Sequence, residues 1–233
     1  MRFVLDEIPL QINIQTLMRK LRVSEESRYA DELARLAEEA QRIGRPGGLY
    51  RVAFIESRGD DWVTVDGIRF TSRVLRINLE RTHRVFAFVA TCGTELAEWA
   101  RGMGDLLHRY WGEAICEMAL QVALQAIQRH IEETFQPGQT SSMAPGSLPD
   151  WPIEEQRPLF RLLGDPERDI GVRLSDSLLM IPTKSVSGLR FTTEERFESC
   201  MLCPRENCPG RRAPYDELSV RKYRAEQNSG RYG

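Results

Sequence analysis

Residues 170–191 read IGVRLSDSLLMIPTKSVSGLRF, and the class of the fold turns on how this stretch divides. IGVRL, LLMIP and SGLRFTT are short runs rich in β-branched and apolar residues, parted by turn-forming polar residues, and they read as three strands. Working back, PIEEQRPLFRLLGD is a helix closed by Gly164, and GQTSSMAPGSLPDWP, with three prolines and two glycines, is a loop by composition. EAICEMALQVALQAIQRHIEETF is the longest periodic segment, with Ile115, Met118, Ala119, Val122, Ala126 and Ile127 along one helical face. It ends at Pro137-Gly138. THRVFAFVATCG is a near-continuous apolar run that breaks at Gly93 and predicts a buried strand, with TELAEWARGM as a helix after it. Further upstream, LYRVAFIES, DWVTVDGIRFTS and VLRINL read as antiparallel strands, with Asp66-Gly67 as a hairpin turn. SEESRYADELARLAEEAQRI has helical spacing, a Ser24 cap, and a stop at RPGG. Helix, strands, long helix, loop, helix, strands is an α+β order and not a regular βαβ alternation.

The chain has 233 residues, 41% of them hydrophobic and 28% charged, with a formal net charge of -2. That length buries a real core, and that charge argues against a broad nucleic-acid-binding surface. MRFVLDEIPLQ carries acidic residues where a signal peptide has its apolar run, and no stretch approaches the apolar length of a membrane span, so the expected location is the cytoplasm. No GxSxG, HExxH, P-loop or GxGxxG pattern occurs, which sets aside the common hydrolase, zincin and nucleotide-binding assignments.

GSLPDWPIEEQRPLFRLL and IGVRLSDSLLMIPTKSVSGLRF together resemble the reactivation domain of cobalamin-dependent methionine synthase, the domain that binds S-adenosylmethionine. The most specific piece is Met180-Ile181-Pro182 followed by Ser185-Val186-Ser187-Gly188; ATCGTELAEW looks like the family's strand-to-helix turn. The resemblance covers residues 85–192 well and the first 84 loosely. It implies a twisted antiparallel sheet with flanking helices, docked on a corrinoid protein. In the family, cob(II)alamin formed by accidental oxidation is reduced by one electron and methylated by S-adenosylmethionine. Without substrate and cobalamin modules, the chain is expected to act in trans, on a split methionine synthase or another corrinoid protein. The family's donor loop has an arginine, an alanine two residues later, then Pro-Gly-Tyr. Here Ala144, Pro145 and Gly146 match it, whereas Ser142 stands for the arginine and Ser147 for the tyrosine. A serine cannot replace the planar charged fork that a guanidinium offers a carboxylate. The resemblance also points to a helix carboxylate for the donor's amino group, for which Glu117 is the candidate. Trp151 has a packing role by default, with stacking on a corrin or adenine face as the alternative.

Residues 193–233 turn polar and cysteine-rich, and read as a metal-binding tail whose end, EQNSGRYG, is expected to be disordered. Cys200, Cys203 and Cys208 fall in ESCMLCPRENCPGRRAPYD with the spacing C-x2-C-x4-C, and Pro204 and Pro209 constrain the backbone beside them. Three soft thiolates suit zinc or an iron-sulfur cluster, and in a reducing compartment clustered thiols more often hold metal than form disulfides. A fourth ligand is missing; Cys92, Cys116, His83, His108, His130 or a carboxylate are the candidates. A cluster would supply the electron that reactivation needs, and zinc would staple the tail. Arg211-Arg212 is either a solvated surface or a contact for a corrinoid phosphate or an acidic partner. The competing reading is a non-catalytic binding module that has lost the methyl donor and recognises a partner through this tail.

Overall fold

A computed structural model of the chain describes residues 1–208 and 210–225; Pro209 and the EQNSGRYG end lie outside them. The strands are β1 (Arg2–Leu5), β2 (Gly47–Arg58), β3 (Trp62–Val65), β4 (Ile68–Thr71), β5 (Arg84–Thr91), β6 (Thr140–Met143), β7 (Arg173–Leu174), β8 (Met180–Ile181) and β9 (Ser185–Thr192). The helices are α1 (Ile14–Leu21), α2 (Ala30–Ile43), α3 (Arg73–Asn78), α4 (Thr94–Arg101), α5 (Leu106–Phe135), α6 (Gln156–Leu163), α7 (Pro166–Ile170) and α8 (Glu217–Ala225). Seven strands form one sheet in the order β4-β3-β2-β5-β9-β6, with β1 paired to β2, and β7 and β8 form a separate ribbon. Every pairing in the sheet is antiparallel. The class is therefore α+β, as the element order requires.

Alternation along the central strands sends side chains into two cores. Tyr50, Phe86, Phe88 and Ala90 point to one face, where they meet Ala119, Ala123 and Ile127 of α5 together with α1, α2 and α4. Leu49, Ala53, Val85, Val89, Leu189 and Phe191 point to the other, against α3, α6 and the β3–β4 hairpin. Because both faces of β5 are covered, its run reads as continuously apolar rather than alternating. At Gly48 a Cβ would lie 2.7 Å from Ile127. The missing side chain lets α5 pack directly onto β2.

Several sequence expectations shift. VLRINL is a helix, α3, not a strand: the Ser72 hydroxyl accepts the Leu75 amide hydrogen at 3.0 Å, and Asp150 accepts from both the Ser72 hydroxyl and the Val74 amide. An N-cap with a second carboxylate behind it outweighs a six-residue β-branched pattern. Ser24 does not cap α2, which starts at Ala30 after a turn in which Ser27 N–H reaches Ser24 O. The loop reading of 138–152 misses β6, whose four residues pair with Thr192, Phe191, Arg190 and Leu189 of β9. Strand β1 and helices α1, α7 and α8 carry too few periodic residues to announce themselves. No described helix is long and apolar enough to cross a membrane.

Candidate functional site

Strand β6 is an edge strand, and its register with β9 fixes what lies beside the Ala144–Gly146 turn. Directly opposed residues of an antiparallel pair share a face. Phe86 on β5, Arg190 on β9 and Ser142 on β6 therefore form one row across three strands, on the α5 side of the sheet. On the opposite side, Met143 and Leu189 are buried in the second core. At Gly188 a Cβ would sit 2.3 Å from the Met143 carbonyl oxygen, so only glycine lets β6 approach β9 this closely.

After Met143 the chain turns through Ala144 and Pro145 to Gly146, which has φ +82°, a left-handed conformation that favours glycine. The Gly146 amide donates to Trp151 O at 2.7 Å, and the Ser147 amide and hydroxyl donate to Ala144 O at 3.1 and 2.6 Å. Ser147, in the tyrosine's place, also meets the Ser199 hydroxyl at 3.2 Å, so the tail is laid against the turn. Trp151 is fully buried and edge-on to Phe70 at 6.3 Å, which settles its role as packing.

Within SVSG the hydroxyls face inward. The Ser185 hydroxyl donates to Pro182 O at 2.7 Å and pairs with the Thr91 hydroxyl at 2.9 Å, and Ser187 donates to Gln156 Oε1 at 2.8 Å. They lock β9 to β5 and α6 and are spent as ligand contacts. Arg190, which the sequence reading passed over, donates from Nη1 to Thr140 Oγ1 at 3.2 Å, while its Nε is buried with no hydrogen-bond partner. Burial pulls its guanidinium below the ordinary arginine value, opposed by the charges of Glu132 on α5 and Glu198 in the tail. Its signal lay in register: it is the single charge in an otherwise uncharged strand.

Glu117 is not brought to the turn. It is half exposed on a flank of α5 and paired at 2.9 Å with Lys20 of α1. Glu132, further along α5, accepts from Gln128 Nε2 at 2.8 Å, and its charge is felt at Arg190.

The cysteine segment follows a short 3-10 turn, Ser199–Leu202. The Arg211 guanidinium donates to Cys200 O at 3.0 Å and Cys203 O at 3.2 Å, and also to Arg205 O, knitting the loop around one side chain. Within the chain Arg211 is thus a loop-organising side chain and not a merely solvated one. The Arg212 amide donates to Cys200 Sγ at 3.5 Å. That contact, the Ala213 amide and the two arginine charges hold the Cys200 thiol below its ordinary value despite some desolvation. Among the described residues no three His, Cys, Asp or Glu side chains are placed to hold a metal ion. Two proposed fourth ligands are elsewhere: Cys92 and Cys116 are buried in the α5-side core, across the sheet from Phe197 and Leu202 of the tail. His130 bonds Tyr50 at 2.6 Å and His108 bonds Glu32 at 2.9 Å.

Two clefts, of about 1360 and 1080 Å³, lie away from the turn: one runs between α3, the end of β9 and α8, the other beside α6 and α7. The patch at Ser142, Ala144 and Arg190 lines neither of them. It is the half-exposed end of a sheet face whose β2–β5 part lies under α5.

Residues 103–201 match the family model described as vitamin B12 dependent methionine synthase, activation domain. A crystal structure of the MetH reactivation domain bound to AdoHcy is similar in fold, with a TM-score of 0.58 at 14% sequence identity, covering 97% of this chain and 90% of that one. No curated protein matches the chain. The family match opens just before α5 and closes inside the cysteine segment, whereas the likeness of fold also takes in the first 84 residues, where sequence resemblance is loose.

Proposed function

We propose that this chain, which has the fold and over residues 103–201 the sequence pattern of a methionine synthase reactivation domain, is an accessory protein for a corrinoid protein. In this reading it docks on a cobalamin carrier and supports reductive methylation of cob(II)alamin with S-adenosylmethionine, using one electron from an external one-electron donor. One observation carries it: within the family-matched segment, β6 with the Ala144–Pro145–Gly146 turn that follows it is paired to β9, setting Arg190 directly opposite Ser142. S-adenosylmethionine would supply an electrophilic methyl group there. The chain's own part is to hold and orient that donor. Ala144 and Gly146 keep the turn small, the Gly146 amide is fixed by Trp151, and the patch stays open for a large cofactor on another protein.

The same reading gives Cys200, Cys203 and Cys208 a zinc ion or an iron-sulfur cluster, taken up with local rearrangement of their side chains. The lowered Cys200 thiol and the backbone gathered on Arg211 support this assignment. The Ser147–Ser199 contact favours a position for such a centre close to the donor turn. That contact equally favours a second reading, in which the tail has taken over the turn and the protein is a binding module without a methyl donor.

Calorimetric titration of the full chain with S-adenosylmethionine, alone and with a cob(II)alamin protein, separates the two. Heat of binding is expected in at least one arm; none in either arm leaves the binding-module reading. Anaerobic purification followed by metal analysis and an absorption spectrum tests the thiolate site. A brown protein with iron and sulfide indicates a cluster, a colourless one with zinc a staple, and a metal-free protein removes the site.

A further inference from the structure

The loop lacks the arginine expected at position 142, yet an arginine stands directly across the strand pair from it. Arg190 is the cross-strand partner of Ser142, so both side chains leave the sheet on one face, and Ala144, two residues past Ser142, continues the row. Ser142 is small and leaves that space to its neighbour. Arg190 Nε is shut off from water without a hydrogen bond, a cost that a native arginine normally offsets with a partner. Nη1 bonds only a threonine hydroxyl, at 3.2 Å. Within reach of its charge are Glu132 from α5 and Glu198 from the tail, and Glu198 Oε2 is itself buried without a hydrogen bond. Glu198 is already ion-paired, through Oε1 with Arg196 at 3.3 Å and through Oε2 with Arg212 at 3.4 Å, which leaves Arg190 Nε without a partner.

Resting on the donor-site reading above, we propose that Arg190 binds the carboxylate of the ligand's amino-acid moiety in place of the missing loop arginine. The ligand class is a nucleoside thioether or sulfonium with a zwitterionic amino-acid tail. The cation comes from β9, and Glu132 of α5, whose charge is felt at Arg190, would take the ammonium group.

Titration calorimetry with two probes tests this: AdoHcy, which has the amino-acid tail, and 5′-methylthioadenosine, which lacks it. The wild-type chain is expected to bind AdoHcy at least tenfold more tightly. Arg190→Gln should weaken AdoHcy about 10- to 100-fold, as expected for losing a hydrogen bond to a charged group, and leave methylthioadenosine within about twofold. Arg190→Lys should fall between, because it keeps the charge and loses the fork. Methylthioadenosine binding reports that each variant is folded. If Arg190 only pins the tail through Glu198, Arg190→Gln will weaken both probes alike or neither, and the assignment is overturned. A wild-type chain that binds AdoHcy no better than methylthioadenosine also overturns it. A wild-type chain that binds neither probe, with or without the cob(II)alamin protein, removes the donor-site reading and this one with it.

Discussion

Cys200 has the most distinctive chemistry of any single side chain in the tail. Backbone amides and two arginines stabilise its thiolate, and thiolate, not thiol, is the nucleophile. After chelator treatment, alkylation of Cys200 by iodoacetamide, followed by mass spectrometry across a pH series, should rise at a lower pH than that of a free model thiol. Arg211→Ala, which frees the carbonyls of Cys200 and Cys203, should move that profile back up. Gly188 is decisive for packing. An alanine there would put its Cβ against the Met143 carbonyl, and forced shifts of this kind cost about 1–3 kcal/mol. Gly188→Ala should therefore lower the urea midpoint with the slope unchanged, and weaken AdoHcy binding as β6 moves. The sequence made the thiols and the Ala-Pro-Gly turn visible because their meaning is local. Arg190 was invisible because its meaning depends on which residue faces it across a strand pair.

At the scale of elements, the strongly periodic segments were legible: α5, β5 and the β3–β4 hairpin sit where apolar spacing and Asp66-Gly67 put them. The errors fell on short elements whose state is set by a partner far away in sequence. α3 depends on Ser72 and on Asp150, 78 residues later. Ser72→Ala removes the cap and leaves Asp150 with one donor fewer, so a loss of about 1–2 kcal/mol is expected in urea unfolding. β6 has too little apolar content to read as a strand, and is held by pairing with β9 and by the Phe197 amide bonding Ser141 Oγ at 2.8 Å. Ahead of α6, burial raises the Glu155 carboxyl above its ordinary value, although the Thr71 amide and Trp151 Nε1 oppose the shift. A carboxyl with a raised folded value adds stability at low pH and loses it as pH rises through that value. Compared with Glu155→Gln, the wild type should be relatively more stable near pH 4 and lose that advantage toward about pH 7, as measured by urea midpoints.

Taken whole, the molecule is a sheet dressed on both faces over β2 and β5 but left partly bare at its β9–β6 end, and this uneven cover positions the candidate site. The order of elements foresaw the α+β class, whereas the path of the tail came from no sequence pattern. After β9 the Thr193 amide bonds Gln139 O at 3.0 Å, Phe197 enters the second core, and Tyr223 of α8 bonds Asn78 at 2.9 Å. The segment after Thr192 thus folds back beside β6, where an outermost strand would otherwise offer its backbone to any passing chain. A protein cut after Thr192 should uncover Leu189 and Phe191 on the core side and free that rim together. It should then pass from monomer-sized to larger species in light scattering as concentration rises, while the full chain does not. In that sense the cysteine-bearing segment also works as a selvedge, keeping the woven border of the sheet from knitting onto its neighbours.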